Sequence, residues 1–257
     1  MKPETNIILI GAGNVATQLG LALADAGYKI SQVYSKTASA AAALSKKLKA
    51  NPLTDLKKLD QDAAIYIIAV KDDAIEAIAK QLKLKDKIVV HTSGSVSMEV
   101  LKKASKNYGV FYPLQTFTKD KKIDFKAVPI CLEGNNKDTS TTLQYFAKSI
   151  SSNVNLVNSD QRKVIHLAAV FACNFSNHMY AIADDILKKN KLSLDILKPL
   201  IEETAQKIRN TSPAKAQTGP AVRGDKKTME GHLKMLKGDK KLKEIYELVS
   251  KHIIKPK

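Results

Sequence analysis

Hydrophobic and polar positions along the first 158 residues follow two periods. Short apolar runs, as in NIILIG (6–11), KISQVYS (29–35), AAIYIIAV (63–70) and KIVVHTS (87–93), read as strands. Between them, apolar residues recur every three or four positions, as on one face of a helix. A first helix is predicted from Asn14 to its stop at Gly27, an alanine-rich one over 37–49, a third opened by Asp72 and Asp73, and a fourth over about 97–106. GVFYPL (109–114), VPICLEG (128–134) and NVNLVN (153–158) read as later strands around a helix at 138–149. This rhythm predicts an α/β fold, a parallel sheet with crossover helices. After Asn158 the texture changes: residues 160–190 carry apolar positions at helical spacing without glycine or proline, which predicts one long helix. SLDILKPLIEETAQKIRN, capped by Ser193, then KKTMEGHLKML and KLKEIYELVSKHI predict further helices, with the loop TSPAKAQTGPAVRGD (211–225) among them. The pattern therefore divides the chain into an α/β domain at 1–158 and an all-helical domain at 159–257.

Composition narrows the class. With 257 residues and 44% hydrophobic positions, the chain can bury a substantial core. The start MKPETNIILIGAG does not read as a signal peptide, and no apolar run approaches the roughly 18 residues needed to span a bilayer. Two cysteines, Cys131 and Cys173, argue against a disulfide scaffold and suit a reducing cytoplasm. The formal charge of +17 comes from 39 lysines and only three arginines, Arg162, Arg209 and Arg223. Base edges and phosphates are read preferentially by arginine, and these lysines are dispersed over the polar faces of predicted helices, so a solvated surface is favoured over a nucleic-acid interface. Such a surface still attracts anionic small molecules.

The chemistry begins at LIGAGNVATQL (9–19). Gly11 allows a tight turn out of the first strand, Gly13 lets the backbone approach a pyrophosphate, and Ala16 permits close packing of helix on strand; Asn14 and Val15 open the helix. The motif follows a strand and opens a helix inside a βαβ unit, which is the context a dinucleotide turn requires. An NAD site would place a carboxylate at the end of the second strand to hold the ribose 2′-hydroxyl. Here that position reads YSKTAS, with Ser35, Lys36, Thr37 and Ser39, and hydroxyls beside an ammonium suit a 2′-phosphate. NADP(H) is the expected cofactor. Val70 and Lys71, at the end of a later strand, are expected to flank the cofactor at the same carboxyl edge, with Thr92 and Ser93 in HTSGS near the nicotinamide.

The arrangement resembles the reductases that include pyrroline-5-carboxylate reductase, the β-hydroxyacid dehydrogenases and the deazaflavin-dependent NADP oxidoreductases. The resemblance implies a Rossmann-type domain followed by a helical domain. A closer resemblance, carried by GAGNVA (11–16), HTSGS (91–95), YPLQTF (112–117), RKVIHLAAVFACNF (162–175) and TGPAVRGD (218–225), is to NADP oxidoreductases of the Bacteroidetes type that join a Rossmann-like domain to an uncharacterised C-terminal domain. It implies a cofactor and a fold, and a homodimer formed through the helical domain. The Lys-x-x-x-Asn pair of the β-hydroxyacid dehydrogenases is replaced by His166, Val170 and Asn174, so no catalytic lysine carries over.

Hydride transfer needs a proton carrier, and usually a cation for a substrate carboxylate. His166 and Asn174 are eight residues apart, about 80° around an α-helix, so both can face one cleft, His166 as proton carrier and Asn174 polarising a carbonyl or imine. A hydrogen-bonded core role fits them as well. Arg223, in a glycine- and proline-rich loop, is the candidate anion anchor, while Asp225 is open to pairing with it or capping the next helix. Arg162 is open to meeting substrate or bracing the domain junction, and Pro113, Gln115 and Thr116 are candidate pocket lining. The histidines and cysteines show no metal-ligand spacing, and HTSGS lacks the G-x-S-x-G elbow of a hydrolase. The expected activity is NADPH-dependent reduction of a small carbonyl or imine; the alternative is a non-catalytic NADP(H) sensor or scaffold.

Overall fold

The computed structural model describes residues 5–121 and 123–254; residues 1–4, on which part of the signal-peptide expectation rests, lie outside it. The apolar runs form one sheet from β1 (Asn6–Ile10), β2 (Lys29–Tyr34), β3 (Asn51–Leu53), β4 (Ile65–Ile68), β5 (Ile88–His91), β6 (Asn107–Pro113), β7 (Ile130–Gly134) and β8 (Val154–Leu156). Their spatial order is β3-β2-β1-β4-β5-β6-β7-β8. The first six keep the 3-2-1-4-5-6 order of a Rossmann sheet, with all neighbours among them parallel. Both faces of this sheet are covered, so inner strands read as unbroken apolar runs: Ile7, Leu9, Ile65 and Ile67 join one buried cluster and Ile8, Ile10, Tyr66 and Ile68 the other. Helices α1 (Asn14–Asp25), α2 (Ala38–Leu48), α3 (Asp72–Ala79) and α4 (Lys137–Lys148) supply the outer layers.

Three expectations are corrected. β7 pairs antiparallel with β6, Tyr112 opposite Cys131, so β7 and β8 run against the rest of the sheet. A parallel neighbour would need a helical crossover, and the described residues of 114–129 hold only a short turn of 3₁₀ helix at Phe125–Ala127. The helix predicted over 97–106 is a single 3₁₀ turn, Met98–Leu101. β6 begins at Asn107, so a helix reaching residue 106 would leave no chain to reverse direction. The long helix of 160–190 is not uniform: α5 (Ser159–Ala169) widens into a π-helical segment, Val170–Phe175, before α6 (Ser176–Lys189). Residues of a π turn advance by a smaller angle than α-helical ones, so the 80° expected between His166 and Asn174 shrinks. The short strand β3 has no counterpart in the sequence reading, because three residues carry no readable period.

The chain divides into two compact units between His178 and Met179, within α6. The composition change at 158/159 marks the start of the helical run, and α5 stays with the sheet. The second unit contains α7 (Lys198–Asn210), the one-turn helices α8 (Pro213–Ala216) and α9 (Pro220–Arg223), α10 (Lys226–Met235) and α11 (Lys240–Ile254). Within it, His232 Nδ1 meets the Tyr246 hydroxyl at 2.9 Å and ties α10 to α11. Among the described residues no helix is long and apolar enough to cross a membrane.

Candidate active site

The turn after β1 is shaped by contacts that only glycine allows. Gly11 has φ +130°, and a Cβ there would lie 2.0 Å from the Ala69 carbonyl oxygen, so β1 and β4 leave the sheet in near contact. At Gly13 the situation is opposite: a Cβ would meet nothing within 4 Å. That open side faces the N-terminus of α1, where Gly13 provides no side-chain cap and the first turn holds no acid. Unpaired N–H groups and the positive end of the helix dipole are left for an anion. Ala16, fully buried, packs this helix onto the sheet.

A cavity of about 1010 Å³ opens at this turn. Gly11, Gly13, Asn14 and Val15 line it from β1–α1, Ser35 and Lys36 from the end of β2, and Val70 and Lys71 from the end of β4. It lies where β1 meets β4, the point at which the strand order reverses and ligands of doubly wound sheets bind. A dinucleotide phosphate fits these residues: backbone N–H groups for the pyrophosphate, and Lys36 with Ser35 for a 2′-phosphate. Thr37 stands just beyond, as the residue preceding α2, with its N–H donated to Ser35 Oγ at 3.2 Å.

A lysine that the sequence reading missed, Lys119, lines the same cavity. Its loop is strapped to α1 by two side chains. Asn14 Nδ2 donates to the Phe117 carbonyl at 2.9 Å, and Gln18 Nε2 donates to the carbonyls of Thr118 and Lys121 at 2.6 and 2.9 Å. Phe117 stacks on Phe125, with ring centroids 5.8 Å apart. Asn14 therefore commits one amide N–H to the loop, while its backbone N–H and its side-chain carbonyl are not engaged there.

Thr92 and Ser93 follow β5 and are buried. The Ser93 hydroxyl accepts the N–H groups of Ser95 and Val96 at 3.1 and 3.0 Å, and the Ser95 hydroxyl donates to Asp72 at 2.6 Å. Ser93 thus builds the turn that carries Gly94. Against Gly94 stand two aromatic side chains from distant parts of the chain: Tyr112, near the end of β6, and His166, on α5. The Tyr112 hydroxyl and His166 Nδ1 are 3.1 Å apart. Burial, chiefly, pushes the Tyr112 phenol up to about 12; Cys131 and Asp72 add to this and Arg162 opposes it.

Arg162 is the largest fully buried side chain. It forms an ion pair with Glu133 on β7, and its Nη2 donates to the Val96 carbonyl at 2.6 Å and to Ser159 Oγ at 3.3 Å. Ser159 in turn donates its N–H and hydroxyl to the Glu133 carboxylate, both at 2.8 Å. Arg162 is a brace, but inside the first unit, between α5, β7 and the loop after β5, and not at the division between the units. Asp225 likewise proves to be a helix cap, accepting from the Thr228 N–H at 3.1 Å and hydroxyl at 2.7 Å.

The structure thus gathers the turn, strand-end residues and Lys119 around one cavity, and His166 with Tyr112 and Gly94 at the edge of the same sheet. Asn174 is exposed within the π segment. Arg223 is exposed at the end of α9 in the second unit, with no ion pair among the described residues. Pro113 is buried, and Gln115 turns back to accept the Thr116 N–H at 2.8 Å. No group of three or more His, Cys, Asp or Glu among the described residues could hold a metal, and both cysteines are free.

Comparison with known proteins gives two family matches, NADP oxidoreductase coenzyme F420-dependent over residues 6–94 and a domain of unknown function, DUF2520, over residues 128–253. No curated protein matches the chain. Among solved structures, the candidate NADP oxidoreductase BF3122 from Bacteroides fragilis is 42% identical, with 98% of each chain covered and a TM-score of 0.92. Protein TM1727 from Thermotoga maritima is similar in fold, at 23% identity, TM-score 0.80 and coverage of 96% of this chain and 97% of that one. So is an imine reductase from Myxococcus stipitatus solved with NADP+, at 15% identity, TM-score 0.65 and coverage of 97% and 91%.

Proposed function

The chain belongs to the NADP oxidoreductase family that includes the Bacteroides fragilis protein, and we propose that it reduces a small carbonyl or imine compound bearing a carboxylate. The chain is an oxidoreductase and its cofactor is NADP, which leaves the substrate and the working residues to be argued. The observation that carries the reading is His166, half-buried and hydrogen-bonded to Tyr112 at the carboxyl edge of the sheet that bears the cofactor turn.

Bound in that turn, NADPH would supply a hydride. The backbone of Gly11, Gly13, Asn14 and Val15 holds the pyrophosphate, and Ser35, Lys36 and Thr37 hold the 2′-phosphate; Val70 and Lys71 bound the cofactor from the end of β4, with Thr92 and Ser93 supporting the edge beyond. His166 carries the proton for the substrate heteroatom, since an imidazole nitrogen can both donate and accept one. Asn174 polarises the carbonyl or imine through its amide. Arg223, exposed and without an ion pair among the described residues, anchors the substrate carboxylate.

A second copy of this chain is the proposed partner, through the helical region. In the second unit Ala221 alone is buried among the described residues, while Leu200, Ile208 and Leu248 stand exposed. Upstream, Val164, Leu167, Phe171 and Phe175 form an exposed apolar stripe at helical spacing. A cytoplasmic location fits the cofactor and the two unpaired cysteines.

The test is NADPH oxidation across a panel of small keto acids, cyclic imines and aldehydes. Carboxylate-bearing compounds should turn over faster than their neutral analogues. Arg223→Ala should raise KM for the anionic substrate roughly tenfold, while His166→Ala should lower kcat by about a hundredfold. Equal turnover of neutral analogues would remove the carboxylate from the proposal, and unchanged kinetics in both variants would overturn the residue roles.

A further inference from the structure

We infer that Tyr112 is a positioning residue for His166, holding the imidazole by Nδ1 so that Nε2 is the atom through which protons reach the substrate. The inference rests on the proton-carrying role proposed above for His166. The phenol oxygen is 3.1 Å from Nδ1, and the rings stand edge to face at an interplanar angle of 70°. Nε2 has no hydrogen bond to any described residue, and the side chain is only half-buried.

The ring is confined from a third side. A Cβ on Gly94 would lie 2.7 Å from His166 Nδ1 and 2.9 Å from Tyr112 Cζ, so both rings pack on bare backbone. Arg162 lies one helical turn before His166 and donates to the Val96 carbonyl, two residues beyond Gly94. Helix and loop are therefore clamped together on the same side as the His166–Tyr112 contact. The charged or titratable groups facing Tyr112 come from three elements: Cys131 on β7, Asp72 on α3 and Arg162 on α5. Their surroundings keep the phenol protonated across the working pH range of an imidazole.

A hydroxyl is suited to this task because it both donates and accepts. Beside neutral His166 with a bare Nδ1, the Tyr112 O–H donates to that nitrogen. Beside the imidazolium, Nδ1–H donates to the phenol oxygen instead. The ring keeps one orientation through both charge states, which a carboxylate could not achieve without favouring the cation. In the reduction, the Nε2–H bond of the imidazolium breaks and the substrate heteroatom takes that proton, matching the hydride that bound NADPH would supply to the carbon. Neutral His166 keeps its Nδ1–H on the Tyr112 oxygen, and Nε2 regains a proton from water.

The test uses Tyr112→Phe in the full-length chain, which keeps the ring and removes the hydroxyl, with Gly94→Ala as a second variant that displaces the imidazole. Nitrogen-15 spectra of labelled His166 against pH, recorded without ligand, should show Nδ1 hydrogen-bonded in both charge states of the parent, as acceptor when bare and as donor when protonated, and an unbound Nδ1 exchanging between tautomers in both variants. In turnover, Tyr112→Phe should lower kcat about tenfold with little change in KM, and should add nothing when His166 is already Ala. Unchanged His166 nitrogen signals, or an equal further loss in the His166→Ala background, would overturn the inference. Should His166→Ala retain full activity, the proton-carrying role fails and with it the catalytic meaning of the contact, while the spectra still decide whether Tyr112 holds the ring.

Discussion

His91 ends β5 fully buried, its Nδ1 accepting the Ser93 N–H at 3.2 Å and its Nε2 without a partner. Burial, reinforced by the nearby Arg162 charge, pushes its pKa down to about 4 from 6.5. In the window between those values the unfolded chain binds a proton at His91 and the native state does not, so stability rises with pH. The contribution is complete above 6.5 and is lost as the pH falls toward 4. Urea midpoints should therefore decline below pH 6.5, with His91 accounting for roughly 1.4 kcal/mol per pH unit at most. In His91→Gln that part of the slope should vanish; an identical slope in parent and variant would show that His91 is not the group responsible. The Arg162–Glu133 pair obeys the same physics of burial from the other side. Its charges are tolerated because the Val96 carbonyl, Ser159 and Glu133 satisfy most of the guanidinium, although Arg162 Nε finds no partner.

At the scale of elements, the proposed cofactor contacts divide between the ends of adjacent strands. The turn from β1 into α1 would offer backbone N–H groups, which recognise phosphate without regard to the ribose. The end of β2 would offer Lys36, to recognise only the additional 2′-phosphate. Lys36→Ala should thus weaken NADPH about tenfold and leave NADH nearly unchanged, as read by fluorescence titration of each nucleotide. A parallel loss of both would move Lys36 to the pyrophosphate. Lys119 stands on a loop whose shape depends on Asn14 and Gln18, so α1 both presents the anion-binding end and orders the loop beside it.

For the whole molecule, the distribution of burial is uneven. The Rossmann-type sheet holds two extensive apolar clusters, whereas the described part of the second unit leaves large apolar side chains such as Leu200 and Leu248 in contact with water. An isolated helical unit of this kind has too little buried area to offset its conformational entropy. In the proposed dimer, association through these faces would supply it. Sedimentation velocity should give a dimer at micromolar concentration, and Leu200→Glu with Leu248→Glu should shift it to monomer and lower Tm. A parent protein that sediments as a monomer would refute the second-copy partner.

Local order in the chain was sufficient for the strand–helix rhythm, the glycine turn and the absence of a 2′-hydroxyl carboxylate, because each depends on neighbours a few residues apart. Ile7–Ile10, Gly11 and Gly13 have the same meaning in isolation as in the fold, since sterics and hydrophobic period act locally. Tertiary structure decided the rest. Tyr112 and His166 are 54 positions apart, and nothing in YPLQTF distinguishes the tyrosine from an ordinary strand residue until α5 brings an imidazole to it. Arg162 reads as one more cation at a helix start; only its pairing with Glu133 and Val96 makes it a buried brace. The reversal of β7 was equally hidden, because side-chain alternation is the same in either direction and the loop length decides which neighbour a strand can take.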